Sequence, residues 1–100
     1  MLATADAGIT KPSMTINDIS YNGFNIAWDK VENADRYILD IKKIEKDNST
    51  TEIDGYTDLE ISGLSHTVTG LDESATYKVS LSSCASSFYS EANTKTVETP

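Results

Sequence analysis

One cysteine, Cys84, and one histidine, His66, are all that this sequence has of either type. A lone thiol closes no internal disulfide, so stability has to come from an apolar core, and the cysteine count leaves the redox compartment open. One thiol and one imidazole also fall short of the ligand set a zinc site takes. Cations are scarce as well: eight Lys and Arg stand against sixteen Asp and Glu, a formal charge of -8. A phosphate backbone or an anionic lipid surface would be repelled, so nucleic acid is not an expected partner. No apolar run approaches the ~20 residues of a membrane helix, and membrane insertion is not expected. The opening MLATADAGIT lacks the cationic start and apolar centre of a signal peptide. Met1 is expected to open a fragment of a longer chain.

What is present is enough for one folded domain. The chain has 100 residues, 38% of them apolar and 24% charged. That length buries one core and not two, and the apolar share is too high for a chain disordered throughout. Residues 1–10 are small and polar without periodicity, and Pro12 stops any regular element there. They are expected as a linker or flexible N-terminus, with the domain over 11–100.

From Met14 the chain alternates. Phe24, Ile26 and Trp28 recur at spacing two, and so do Tyr37, Leu39 and Ile41, with Ile38, Asp40 and Lys42 on the opposite face. Spacing of two means a strand with one buried face. EKDNST has the composition of a hairpin loop, TTEID returns as a short strand, and GYTDLEISGLS reads as a crossing between sheets. HTVTGL, TYKVSLSS and ANTKTVET supply further short strands, and no window carries a helical stripe. About seven strands at intervals of roughly 8–12 residues predict an all-β, antiparallel sandwich of the immunoglobulin-like class.

Over residues 11–99 the order of these residues resembles the fibronectin type III domains. Pro12 is similar to the opening proline, MTINDISYNGFNIAWD to the first two strands ending at the core tryptophan Trp28, and Tyr37 to the tyrosine of the third strand. VTGLDESATYKVSL is the most specific match, with Gly70, Leu71 and Tyr77 at the family's glycine, leucine and tyrosine. The resemblance implies fibronectin type III topology, with Leu71 closing one end of the core and the Tyr77 hydroxyl bonded to upstream backbone. An immunoglobulin domain is the rival sandwich, and it usually carries the cysteine pair that is missing here. The family implies no catalytic residues. Its adhesive Arg-Gly-Asp tripeptide has no counterpart, since Arg36 is the sole arginine.

The remaining residues offer few candidates for chemistry. His66 falls within an expected strand, as a half-buried structural imidazole rather than a base, and no enzyme is expected. Asp54, Asp58 and Glu60 could present oxygens to a calcium ion but lack the dense Asp and Gly repeat of a calcium loop, so no metal or other cofactor is expected. Asn48-Ser49-Thr50 fits the N-glycosylation pattern. Cys84 has no cationic neighbour in sequence and is expected to be inert. Phe88 and Tyr89, in an expected loop, and an exposed Tyr56 are the candidate partner-binding residues, because aromatic tips on a rigid sandwich bind sugars or proteins. The expected function is a monomeric, non-catalytic spacer or protein-interaction module among neighbouring domains of an extracellular or cell-surface protein, of bacterial type by its Asn, Asp, Ser and Thr content. The alternative is an accessory carbohydrate-binding or adhesin module of a secreted polysaccharide-degrading or surface protein.

Overall fold

A computed structural model describes residues 9–100. It contains nine strands and no helix among them, arranged in two antiparallel sheets that face one another across one core. The first sheet holds β1 (Thr15–Ser20), β2 (Gly23–Ala27) and β6 (Ser65–Val68), in the order β1-β2-β6. The second is built on β3 (Arg36–Ile44) and β7 (Thr76–Ala85), which pair over nine positions from Arg36 opposite Cys84 to Ile44 opposite Thr76.

The excess over seven strands has a simple origin. β4 (Thr50–Glu52) and β5 (Leu59–Ile61) both lie along the free edge of β3, one beside Lys42–Ile44 and the other beside Tyr37–Leu39. β8 (Phe88–Tyr89) and β9 (Asn93–Glu98) likewise share the far edge of β7. Each edge is one strand position broken in two, which leaves seven positions. The break in the first edge also corrects the reading of GYTDLEISGLS as a plain crossing. Its centre is β5, and only the residues between Ile61 and Ser65 pass to the other sheet, where the Trp28 N–H donates to the Leu64 carbonyl at 3.0 Å.

The alternation in sequence becomes the core. Phe24, Ile26 and Trp28 from the first sheet meet Tyr37, Leu39, Ile41, Tyr77, Val79 and Leu81 from the second, all buried. Trp28 packs its ring against Tyr37 at 5.6 Å between centroids, and the Tyr37 hydroxyl accepts a hydrogen bond from the Val31 N–H at 2.9 Å. A tilted pair at this distance suits the ring quadrupoles. Leu71 is buried, and its N–H donates to the Asn22 carbonyl at 2.9 Å, closing the end of the sandwich where the chain crosses from β6 to β7.

Two departures from the pattern have local causes. The pairing of β1 with β2 shifts between Asn17 and Ser20, where Asp18 takes a left-handed φ of 53°. Such a bulge adds one residue and inverts the alternation beyond it. Ile19, just beyond the bulge, is exposed, and it is Met14 and Ile16 that turn toward the core. The expected linker over 1–10 also extends too far: Ile9 is fully buried in the core, and the Thr10 carbonyl accepts from the Ser83 Oγ at 2.6 Å. A single isoleucine among small residues gives no periodicity to read. Residues 1–8, the rest of that expected linker, lie outside the described residues.

Candidate functional site

The outer face of the second sheet carries the most differentiated surface. Its residues are those of β3 and β7 that point away from the core. Cross-strand register places Glu60, Ile38 and Ser82 in one row, and Arg36, Cys84 and Tyr89 in the next. Together with Asp58, just before β5, Ile38, Glu60, Ser82 and Tyr89 line a shallow trough across the sheet. Ile38 and Ser82 form its floor, the two carboxylates one side and the tyrosine the other.

Arg36 closes one end of the trough. Its Nη1 pairs with Asp35 at 2.9 Å, its Nη2 donates to the Ser86 carbonyl at 2.9 Å, and its Nε stands 3.7 Å from Glu60. The pKa of its guanidinium is raised, first by the hydrogen bond to Asp35 and further by Tyr89. Across the other flank, Lys42 is bound to Asp40 at 2.5 Å, and this pairing raises its pKa.

Cys84 lies fully buried beside this arginine. The expectation of no cationic neighbour holds only along the sequence, because β3 brings Arg36 opposite Cys84 across the sheet. Burial nevertheless dominates and raises the thiol pKa, with Arg36 acting in the opposite sense. A buried, protonated thiol is a poor nucleophile.

The three aromatic candidates do not form one surface. Phe88 and Tyr89 are not in a loop: they make the short strand β8, paired with Ala85 and Cys84 across a two-residue turn at Ser86 and Ser87. The turn is possible without glycine because Ser86 accepts a φ of 54°, which such hairpins need at the first central position. Adjacent strand residues point to opposite faces. Both rings are exposed, Phe88 by 41% and Tyr89 by 58%, but Tyr89 alone shares the outer face with the trough. Tyr56 is half-buried rather than exposed. It packs against the core, its hydroxyl accepts from the Thr69 N–H at 3.3 Å, and its ring meets His66 edge-on at 5.9 Å. An isolated tyrosine in a Gly-Tyr-Thr-Asp stretch carries no signal for this anchoring role.

The other candidates are dispersed. His66 sits in β6 opposite Ile26, against Tyr56. Among the described residues no three of His, Cys, Asp and Glu form a group that could hold a metal ion, and Asp54 is therefore not brought together with Asp58 and Glu60. Asn48 is exposed in the β3–β4 hairpin with a φ of 70°. No helix among the described residues is long and apolar enough to cross a membrane.

No protein-family model matches the sequence, and no curated protein matches it either. Solved structures do. An fn3 domain of the human collagen α-1(XX) chain superposes with a TM-score of 0.78 at 16% identity, covering 100% of this chain and 93% of that one. The third fibronectin III domain of human KIAA0343 protein gives 0.69 at 15% identity over 100% of this chain and 89% of that one. A two-domain fibronectin type III segment of chicken tenascin gives 0.67 at 21% identity over 88% of this chain and 48% of that one. The chain has the fibronectin type III fold, as the order of Trp28, Tyr37, Leu71 and Tyr77 implies.

Proposed function

We propose that this chain is a non-catalytic module of a larger protein, spacing its neighbours or docking a partner protein, and that the parent is an extracellular or cell-surface protein of bacterial type. The observation that carries this reading is the placement of the two ends of the described chain. Near one end of the sandwich, the Ser83 Oγ donates to the Thr10 carbonyl and the Asn93 Nδ2 donates to the Pro12 carbonyl at 2.9 Å. At the other, the Thr99 N–H donates to the Ala75 carbonyl, and the Ser74 N–H to the Pro100 carbonyl, both at 2.9 Å. Ser83 and Thr76 are separated by roughly 23 Å along β7, taking ~3.3 Å per residue. Entry and exit at opposite poles suit a bead held in series, and the solved segment of chicken tenascin contains two such domains. The high acid content suits a hydrated surface.

Small-angle scattering on the full-length parent protein tests the spacing role. Deleting residues 9–100 should shorten its maximum dimension by about the length of one sandwich, and an unchanged dimension would contradict the reading. Labelling of the parent on intact cells with a membrane-impermeant biotin reagent tests the location. A second reading, an accessory carbohydrate-binding or adhesin module, is favoured by the exposure of Phe88 and Tyr89. Affinity electrophoresis in polysaccharide gels separates the two. A spacer migrates without retardation, and a sugar binder is retarded and loses that on Phe88→Ala or Tyr89→Ala.

A further inference from the structure

The trough on the outer face of the second sheet has a more specific chemistry than a spacer needs. Its floor is the Ile38 side chain with the Ser82 hydroxyl, its acidic side is Asp58 and Glu60, and its opposite side is the exposed ring of Tyr89. The two cations nearest the trough have closer partners than its carboxylates, while Lys78, opposite Lys42 and further along the sheet, has no ion pair among the described residues. Arg36 is held by Asp35 and the Ser86 carbonyl, and Lys42 by Asp40. Among the described residues Asp58 has no ion pair, and Glu60 has only the 3.7 Å approach of the Arg36 Nε. One unpaired carboxylate and one that is only loosely paired thus stand beside a floor of Ile38 and Ser82, on a chain whose net charge is -8.

We propose that this trough docks an arginine or lysine side chain from a basic segment of a partner protein. The inference rests on the protein-docking form of the reading above and names the chemistry of the partner. A basic side chain has an apolar stem and a charged head, and each part meets a match: the stem lies along Ile38 and the head is shared between Asp58 and Glu60. The face of Tyr89 adds the attraction of an aromatic ring for a cation. The field of an acidic domain steers such a segment inward over a Debye length of about 10 Å or less. A neutral sugar could use the two carboxylates as hydrogen-bond acceptors for its hydroxyls but gains no charge pairing from them. It would also find a single ring to stack on, because Phe88 leaves the opposite face of β8.

The test is a titration of the ¹⁵N-labelled domain with a hexa-arginine peptide at physiological salt, followed by amide shifts, with hexaglutamate as the control. Saturable shifts confined to Ile38, Asp58, Glu60, Ser82, Tyr89 and their neighbours are expected. Asp58→Asn with Glu60→Gln should weaken binding about tenfold, and Tyr89→Leu about threefold. Glu73→Gln with Glu98→Gln removes the same charge at the Ala75 end of the sheet and should weaken binding less than about twofold. All three variants change surface residues, and melting curves confirm that each is folded. Equal losses in the two charge-matched pairs, or shifts spread over the whole acidic surface, would show diffuse attraction and overturn the proposal. So would an absence of binding, or a glycan that shifts the same amides when the peptide does not. Each of these outcomes leaves the scattering test of the module reading untouched.

Discussion

The Tyr77 hydroxyl accepts a hydrogen bond from the Asp72 backbone N–H at 2.7 Å, reaching back five residues across the turn that joins the two sheets. Its ring is buried beside Leu71, so one side chain both fills the core and fixes the path of the crossing. Removing only the oxygen leaves the Asp72 N–H to find water, which is available because Asp72 is exposed. Tyr77→Phe should therefore cost about 1 kcal/mol, at the mild end for a lost hydrogen bond. Urea denaturation should show a lower midpoint with an unchanged slope, and an equal midpoint would contradict the tie.

Trp28 is the larger test of the core. It is almost fully buried against Tyr37, and its Nε1 is also buried with no hydrogen-bond partner among the described residues. Trp28→Ala should cost about 3–5 kcal/mol through lost burial and the cavity left behind. Trp28→Phe should cost much less, because it keeps most of the ring and removes a donor whose unsatisfied burial itself costs about 1–3 kcal/mol. If the two variants lost equal stability, the indole nitrogen would have to be contributing through a bond.

These residues show how much of the architecture is readable without coordinates. Trp28, Tyr37, Leu71 and Tyr77 are large residues at fixed spacings, and their burial and bonding follow from alternation and one turn. The trough is different. Its parts come from three segments separated in sequence, Ile38, then Asp58 and Glu60, then Ser82 and Tyr89, and only the register between β5, β3, β7 and β8 sets them side by side. Sequence points to Tyr89 as an exposed aromatic but assigns it the wrong companions, since Phe88 faces away and Tyr56 is spent on the core. Arg36 beside Cys84 was hidden for the same reason, a contact spanning 48 positions that no local pattern encodes.

The thiol of Cys84 gives a pH-dependent reading of that contact. Burial raises its pKa above the value in the unfolded chain, about 8.5, while Arg36 offsets part of the rise. For an acid whose folded pKa is raised, the contribution to stability is present below the unfolded value and lost as pH rises through the folded one. Stability should thus fall on the alkaline side of pH about 8.5, and Cys84→Ser should flatten that part of the profile. At pH about 8 the native protein should react slowly with iodoacetamide and the urea-unfolded protein rapidly. Fast alkylation of the native form would place the thiol at the surface.

Gly23 and Gly55 separate two reasons for having glycine. A Cβ at Gly23 would stand 2.0 Å from the Val68 carbonyl oxygen and 3.0 Å from its carbon. These are backbone atoms of the strand paired with β2, next to the Phe24 and Val68 pair, so no side chain can turn aside to make room. Gly23→Ala must push β6 away from β2, and it should cost at least the upper part of the roughly 1–3 kcal/mol typical of overpacking. Gly55 meets nothing within 4 Å but holds a φ of 88°. Gly55→Ala is therefore opposed only by backbone strain in the left-handed region, about 1–2 kcal/mol. The first variant should also speed amide exchange along the β2–β6 ladder, because the strands themselves separate, while the second should leave that ladder protected. Equal exchange in both would mean that β6 relaxes around the new methyl without breaking its hydrogen bonds to β2.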